Sequence, residues 1–158
     1  MKNSVLVLIL FVMQNLWSQS TTIYMIRHAE KGDASADPEL SEAGQARAAK
    51  WTVCFNDIPL DAIYSSDYKR TKQTAMPIAV SKGKEITIYN PSTLHLKMLT
   101  TENPGKTILI VGHSNTIPKQ INDLLQQNKY PDIDESEFGH LYKITVDGNA
   151  IETALMIP

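Results

Sequence analysis

Two arginines and two histidines lie in this sequence at places where they could act together on an anion. Arg27 and His28 are adjacent, Arg70 lies in a second polar segment, and His113 follows a glycine in a third. A guanidinium group offers a planar fork of donors that matches phosphate oxygens, and a neutral imidazole nitrogen can attack phosphorus. Phosphoryl transfer needs mainly positioning and charge neutralisation, which fixed cations supply. The four side chains therefore indicate a phosphate-handling site in which a histidine is transiently phosphorylated.

Each of these clusters follows a segment that predicts a β-strand. The segments are residues 22–27, 61–65 and 107–111, and the last is apolar apart from its first residue, which favours a central buried strand. The carboxyl ends of parallel strands meet at one edge of an open α/β sheet, where such sheets bind ligands. If the three strands are parallel, the clusters converge on one crevice. Helices that begin near Asp67 and Asn115 would point their N-termini toward it.

Strand-like and helix-like segments alternate along the chain, which predicts a single three-layer α/β/α domain with a mostly parallel central sheet. Helices are expected over residues 41–55, 67–80 and 94–99 and from Asn115 onward. A further strand is expected over 85–89, and residues 141–146 and 151–156 predict a C-terminal antiparallel hairpin.

Apolar periodicity predicts which side of each helix faces the core. The expected core positions are Ala46, Ala49 and Val53 on the first helix, Thr71, Ala75 and Ile78 on the second, and Ile117, Ile121, Leu124 and Leu125 on the last. Cys54 is expected to be a small core residue near Trp51.

Composition narrows the class of protein. The chain has 158 residues, 42% of them hydrophobic and 20% charged, which is typical of one globular domain. A formal net charge of -2 gives no basic excess, so no nucleic-acid partner is expected. The single cysteine, Cys54, excludes an internal disulfide and a CxxC metal site. We expect no metal and no cofactor, and a small phosphorylated substrate or inorganic phosphate as the ligand.

The first twenty residues differ from the rest. Lys2 precedes an unbroken apolar run over residues 5–13, and Ser18-Gln19-Ser20 fits a small-x-small cleavage pattern. This predicts a secretory signal peptide over residues 1–20 and an exported domain, periplasmic or extracellular, over 21–158. The alternative is an uncleaved anchor, but a bilayer span needs about 20 apolar residues. No stable membrane insertion is expected after removal of the segment.

Four segments together resemble the histidine phosphatase superfamily, in its phosphoglycerate-mutase-like branch. They occur in the order of that family and cover most of residues 21–158, and the short chain is similar to the compact phosphohistidine-phosphatase-like members. The segments are Arg27-His28-Ala29-Glu30, residues 40–46, residues 64–75 and Val111-Gly112-His113-Ser114-Asn115.

The resemblance implies a metal-independent phosphatase that acts on a small phosphate monoester or on phosphohistidine. It implies that His28 is the nucleophile and that His113 also stabilises charge in the transition state. Ser65 is expected to support the pocket by orienting Arg70 or the loop, and Asn115 to lie near the rim. The implied phosphate-binding residues are Arg27, Arg70, His113, Ser65 and Asn115. Ser41, Gly44 and Ala75 are expected to serve capping and packing.

The residue that protonates the leaving group is not evident from the sequence. Many members of the family take a carboxylate from the segment before the second histidine motif, but residues 90–101 contain no Asp or Glu. Thr93 and His95 are the polar residues available there. Residues 132–137 form an acidic run, expected to be a solvated loop that could cover the pocket. The carboxylates that remain open as candidates are Glu30, Asp33, Asp37, Glu102, Asp132 and Asp134.

Two alternatives stay open. Residues 112–116 partly match the nucleophile elbow of serine hydrolases, with Asp134 and His140 following in the order of a triad. The serine-hydrolase hypothesis predicts that activity is lost in Ser114→Ala and retained in His28→Ala. The other alternative is a secreted, non-catalytic module that binds phosphate or a phosphosugar, which the lack of an evident acid motivates.

Overall fold

The structure is a computed structural model that describes residues 20–158; residues 1–19 of the predicted signal peptide lie outside the described residues. The strands are β1 (Thr21–Arg27), β2 (Ala62–Ser66), β3 (Ile86–Tyr89), β4 (Thr107–Gly112), β5 (Leu141–Asp147) and β6 (Ala150–Met156). The helices are α1 (Glu42–Cys54), α2 (Lys69–Lys82), α3 (Leu96–Glu102) and α4 (Thr116–Leu125). Over the described residues, no helix combines the length and apolar character that crossing a bilayer requires.

The six strands form one mixed sheet in the order β3-β2-β4-β1-β5-β6. β3, β2, β4 and β1 are parallel, whereas β5 runs antiparallel to β1 and closes a hairpin with β6. The apolar β4 lies between β2 and β1 and is buried on both faces, as its composition predicts. The predicted α/β class, with a mostly parallel sheet and a C-terminal hairpin, is confirmed.

Helices cover both faces of the sheet, so the predicted three layers are present. Successive residues of β1 point to opposite faces. Met25 packs in a core with residues of α3 and α4, including Ile117, whereas Ile26 packs in a second core with residues of α1 and α2, including Trp51. Each helix pair therefore buries its apolar side against one face of the sheet.

The predicted core side of α1 was wrong. Ala46 and Ala49 are exposed, and Val53 is 75% exposed. Trp51, which is 2% exposed, decides the orientation because it carries far more apolar area than any alanine. The buried residues of α1 are Gly44, Ala48 and Trp51.

Cys54 is exposed, so the prediction of a core thiol was wrong as well. It is the last residue of α1, and Phe55 caps the carboxyl end of the helix. Phe55 is fully buried and occupies the core position at this end of the helix.

The buried side of α2 was predicted correctly, but its start was not. Asp67 does not cap the helix; its carboxylate accepts a hydrogen bond from Lys72 Nζ at 2.7 Å, and the N-cap is Tyr68 without a side-chain hydrogen bond. Pro77 lies inside α2, which nevertheless continues to Gly83, whose φ of 60° ends it in the left-handed region. Thr71, Ala75 and Ile78 are all buried.

Candidate active site

The parallel register brings the two histidines together. Arg27 of β1 pairs with Gly112 of β4. His28 and His113 are the next residues along these two strands, so they lie side by side. The His28 amide donates to the Gly112 carbonyl at 2.9 Å, which extends the pairing by one step. The two imidazole centroids lie 5.4 Å apart. They line a cleft of about 710 Å³ at the carboxyl edge of the sheet, together with Arg70.

His28 is held as a neutral base with one free nitrogen. Its Nδ1 lies 2.8 Å from the Ala29 carbonyl oxygen, which can only accept, so Nδ1 carries the proton and Nε2 presents a lone pair. The Ala29 amide donates to Thr74 Oγ1 at 2.9 Å and fixes the carbonyl in place. Burial, reinforced by the charges of His113, Arg27 and Arg70, lowers the pKa of His28 to about 4. A neutral imidazole with a free Nε2 is the form that a nucleophile requires.

His113 is oriented by a chain of hydroxyl groups. Thr71 Oγ1 donates to backbone carbonyls of Ser66 and Tyr68, at 2.8 and 2.9 Å. Its oxygen is then free to accept from Ser66 Oγ at 3.1 Å, so that Ser66 Oγ in turn accepts from His113 Nε2 at 2.9 Å. Burial, followed by the charges of Arg70 and Arg27, lowers the pKa of His113 to about 4.

Arg27 is wrapped by the loop of residues 131–139, here called the acidic loop. Its Nη1 donates to the carbonyls of Asp134 and Glu137, at 2.8 and 2.9 Å, and its Nη2 donates to Glu135 Oε2 at 2.7 Å. The guanidinium group lies 4.2 Å from the ring centroid of Phe138. The side chain is 1% exposed, and its Nε has no hydrogen-bond partner among the described residues.

Arg70, in the first turn of α2, lines the cleft. Its guanidinium carbon lies 4.4 Å from the ring centroid of Tyr68. Asp37 Oδ1 approaches its Nη1 to 3.8 Å, an ion pair too long for a hydrogen bond. Arg70 Nε and Nη1 are both buried, and neither has a hydrogen-bond partner within residues 20–158. Arg27 Nε is a third such atom, and the charges of both arginines act on His28.

Ser65, expected to bind phosphate or to orient Arg70 or the loop, is not among the residues that line the cleft. Its side chain is fully buried, and its hydroxyl donates to the Ser66 carbonyl at 2.9 Å. β2 extends one residue further than predicted, and the following serine, Ser66, takes the supporting position beside His113. Asn115 lies at the exposed mouth of the cleft.

Most of the candidate carboxylates point elsewhere. Glu30 forms an ion pair with Arg47 at 2.7 Å, and Asp134 accepts hydrogen bonds from Ser136. Asp33, which accepts from the Ser35 amide, and Glu102 in α3 are exposed and do not line the cleft. Asp37 accepts from the Lys69 amide at the start of α2. Of the candidates, Asp132 alone is among the lining residues.

Glu135 is the carboxylate that sequence reasoning missed. It lines the cleft, and Ser114 Oγ donates to its Oε1 at 2.6 Å while Arg27 binds its Oε2. The acidic run was a visible signal that a carboxylate could reach the pocket. Which member does so depends on how Arg27 binds the loop, and this contact spans 108 positions in the sequence.

The triad of a serine hydrolase is not assembled. Ser114 Oγ donates to Glu135, and His140 Nε2 lies 3.3 Å from Glu137. Asp134 uses its carboxylate on Ser136. The serine-hydrolase alternative therefore lacks the histidine contact that would activate the serine. Among residues 20–158 no three His, Cys, Asp or Glu side chains form a group that could hold a metal ion.

A family model matches the amino-terminal part of the described chain. Residues 23–90 match the histidine phosphatase superfamily, branch 1, and this segment contains the first three of the four motifs. The matched segment, 68 of the chain's 158 residues, is similar to this superfamily. The fourth motif, at residues 111–115, follows it on the neighbouring strand of the sheet.

One curated protein is similar over part of the sequence, and solved structures share the fold. Phosphoserine phosphatase 1 of Hydrogenobacter thermophilus is 37% identical over 71 residues, which cover 40% of this chain and 34% of that protein. The chain thus matches about a third of the length of that curated relative. A mutant of phosphoserine phosphatase from Entamoeba histolytica, in complex with phosphoserine, has the same fold, with a TM-score of 0.69 and 19% sequence identity. The superposition covers 85% of this chain and 95% of that chain. SixA from Agrobacterium tumefaciens gives a TM-score of 0.64 at 18% identity, and the superposition covers 87% of this chain and 98% of that chain.

Proposed function

We propose that this chain is a phosphatase that acts without a metal, through a phosphohistidine formed on His28, on a small phosphate monoester or on phosphohistidine. The observation that carries the proposal is the state of His28: a neutral imidazole whose Nδ1 is bound to a carbonyl and whose Nε2 is free beside buried, unpaired guanidinium donors. An anion with three or more acceptor oxygens fits those donors, and phosphorus would then lie next to the nucleophile.

The arginines supply the charge neutralisation that phosphoryl transfer requires. Arg70 brings a fixed positive charge to the lining of the cleft, and Arg27, which does not line it, places a second charge near His28. Both side chains are largely withdrawn from water. In such a site each charge stabilises the developing phosphoryl charge more than it would in water. His113, held by Ser66, is placed to add a hydrogen bond once it carries a proton.

The relatives support this class of reaction. Two of the proteins described above are named phosphoserine phosphatases, and one was observed with phosphoserine bound. A small phosphate monoester is the substrate class that these names favour. The alternative of a non-catalytic phosphate-binding module predicts binding of inorganic phosphate with no turnover.

The test is hydrolysis of an aryl phosphate by the wild type and by His28→Ala. Activity should be lost in His28→Ala and retained in His95→Ala, a matched control at an exposed histidine outside the cleft. EDTA should leave the activity unchanged, and the trapped phosphoenzyme should be labile in acid and stable in base. Full activity of His28→Ala would refute the proposal, and retention there with loss in Ser114→Ala would favour a serine hydrolase.

We also propose that the protein is exported and that residues 1–20 are removed. The first strand begins at Thr21, whose buried hydroxyl donates to the Asn103 carbonyl at 2.8 Å. Cleavage after Ser20 would leave this strand whole. Amino-terminal sequencing of the protein from the exported fraction should begin at Thr21, and a start at Met1 would contradict cleavage.

A further inference from the structure

The chemistry proposed above needs a proton for the leaving oxygen, and the described cleft offers few sources. A departing alkoxide is a poor leaving group unless a positioned acid protonates it. The Nδ1 proton of His28 is bound to the Ala29 carbonyl, and His113 Nε2 is committed to Ser66. The carboxylates that line the cleft are those of Asp132 and Glu135.

Of these two carboxylates, Glu135 is the one that the structure fixes in position. Ile133, at the start of the acidic loop, is 5% exposed, and its amide donates to the Ser114 carbonyl at 2.9 Å. Beyond Glu135, Arg27 Nη1 holds the Glu137 carbonyl at 2.9 Å. The loop is thus anchored on both sides of Glu135. Asp132 is exposed, and its side chain makes none of the hydrogen bonds recorded for the described residues.

Both carboxylate oxygens of Glu135 are bound in the free protein. Ser114 Oγ donates to Oε1 at 2.6 Å, and Arg27 Nη2 donates to Oε2 at 2.7 Å. The Ser114 hydrogen bond, with the charges of Arg27 and Lys31, keeps the pKa of Glu135 below its ordinary value despite partial desolvation. The free protein therefore holds a carboxylate directly on a phosphate-binding arginine.

Binding of a phosphoryl group changes that environment in the direction that favours protonation. The incoming dianion takes donors of Arg27, so the carboxylate loses its strongest positive partner and gains a negative neighbour. Both changes raise the pKa of a carboxyl group. The other charged or titratable groups that line the cleft are His28, Lys31, Tyr68, Arg70, His113 and Asp132. Proton uptake by Glu135 is then coupled to substrate binding.

We propose, on the basis of the phosphatase activity proposed above, that Glu135 donates the proton to the leaving oxygen and then accepts one from the attacking water. In the first step the His28 Nε2 lone pair forms a bond to phosphorus, the ester P–O bond breaks, and the leaving oxygen takes the Glu135 proton. In the second step water oxygen bonds to phosphorus, the N–P bond breaks, and the carboxylate takes a proton from water. The sum is an ester and water converted to an alcohol and phosphate.

The test compares Glu135→Gln with the wild type over a series of aryl phosphates of rising leaving-group pKa, from p-nitrophenyl to phenyl phosphate. A nearly isosteric amide cannot supply the proton, so the loss in kcat/KM should grow along the series. We expect at most about a tenfold loss for p-nitrophenyl phosphate and a loss of about 10²-fold or more for phenyl phosphate. Asp132→Asn, the matched control on the same loop, should change all substrates by one common factor.

A uniform loss along the series in Glu135→Gln would overturn the assignment. A uniform gain would overturn it too, since Glu135 would then only compete with phosphate for Arg27. The Glu135 side chain is 71% exposed, so the variant should fold, which its thermal unfolding and its binding of inorganic phosphate verify. Absence of His28-dependent turnover in the wild type would instead refute the proposed function, so the two failures are distinguishable.

Discussion

Acidification should destabilise this protein through its buried histidines, and the structure sets the size of the effect. The pKa of His28 is about 4 in the folded protein and about 6.5 in an unfolded chain. Between these values the unfolded chain binds the proton and the folded protein does not, so stability falls as pH falls from about 6.5 toward 4. At about pH 5 the cost from His28 alone is about 2 kcal/mol relative to neutral pH. His113, lowered to a similar pKa, acts in the same direction.

Urea denaturation of the wild type and of His28→Gln, each at neutral pH and near pH 5, measures this contribution. The free energy of unfolding should fall with pH in both proteins, but by about 2 kcal/mol less in the variant, because glutamine does not titrate. The carboxylates with lowered pKa, such as Glu135, lose their contribution only at lower pH and do not obscure the difference. An equal fall in both proteins would refute the argument that His28 is buried in its neutral form.

Three further outcomes follow from single contacts. Ser66→Ala removes the hydroxyl that orients His113 and should lower kcat about tenfold. Ser65→Ala, the matched control, should lower the melting temperature without a comparable loss of kcat. Gly44→Ala would place a Cβ 2.3 Å from the Glu30 carbonyl oxygen and should cost about 1–3 kcal/mol in thermal unfolding; no shift in melting temperature would contradict that contact. Cys54 should react with a thiol reagent at one equivalent in the native protein, and protection until unfolding would show that it is buried.

β1, β2 and β4 were predictable because each combines a β-rich composition with polar residues just past its carboxyl end. β4 in particular is apolar apart from Thr107, and this predicted its place in the middle of the sheet. The burial of α1 was not predictable from spacing, since small residues lie on more than one side of the helix: Ala46 and Ala49 are exposed, whereas Gly44 and Ala48 are buried. Trp51 settles the orientation through its area, and periodicity does not weigh residues by size.

The site was predictable where it depends on strand ends and not where it depends on loops. His28 and His113 follow paired positions of neighbouring parallel strands, so the sheet alone brings them together. Ser66 was mistaken for Ser65 because a strand end predicted to within one residue cannot say which of two adjacent serines faces the cleft. Glu135 depends on a loop whose path is set by contacts to Arg27.

The donors of Arg27 are therefore divided between holding the acidic loop and binding an anion. Its Nη1 donates to two carbonyls of the acidic loop, so only Nε and Nη2 remain to bind an anion. Nη2 must first give up its hydrogen bond to Glu135. Arg70 makes no such structural contacts through Nε and Nη1, so it can turn more of its donors to the phosphoryl group. A lysine at position 70 would keep the charge and lose the fork. At position 27 it would also release the loop that carries Glu135, so the first of the four motifs sets the position of His28 and, through Arg27, that of Glu135.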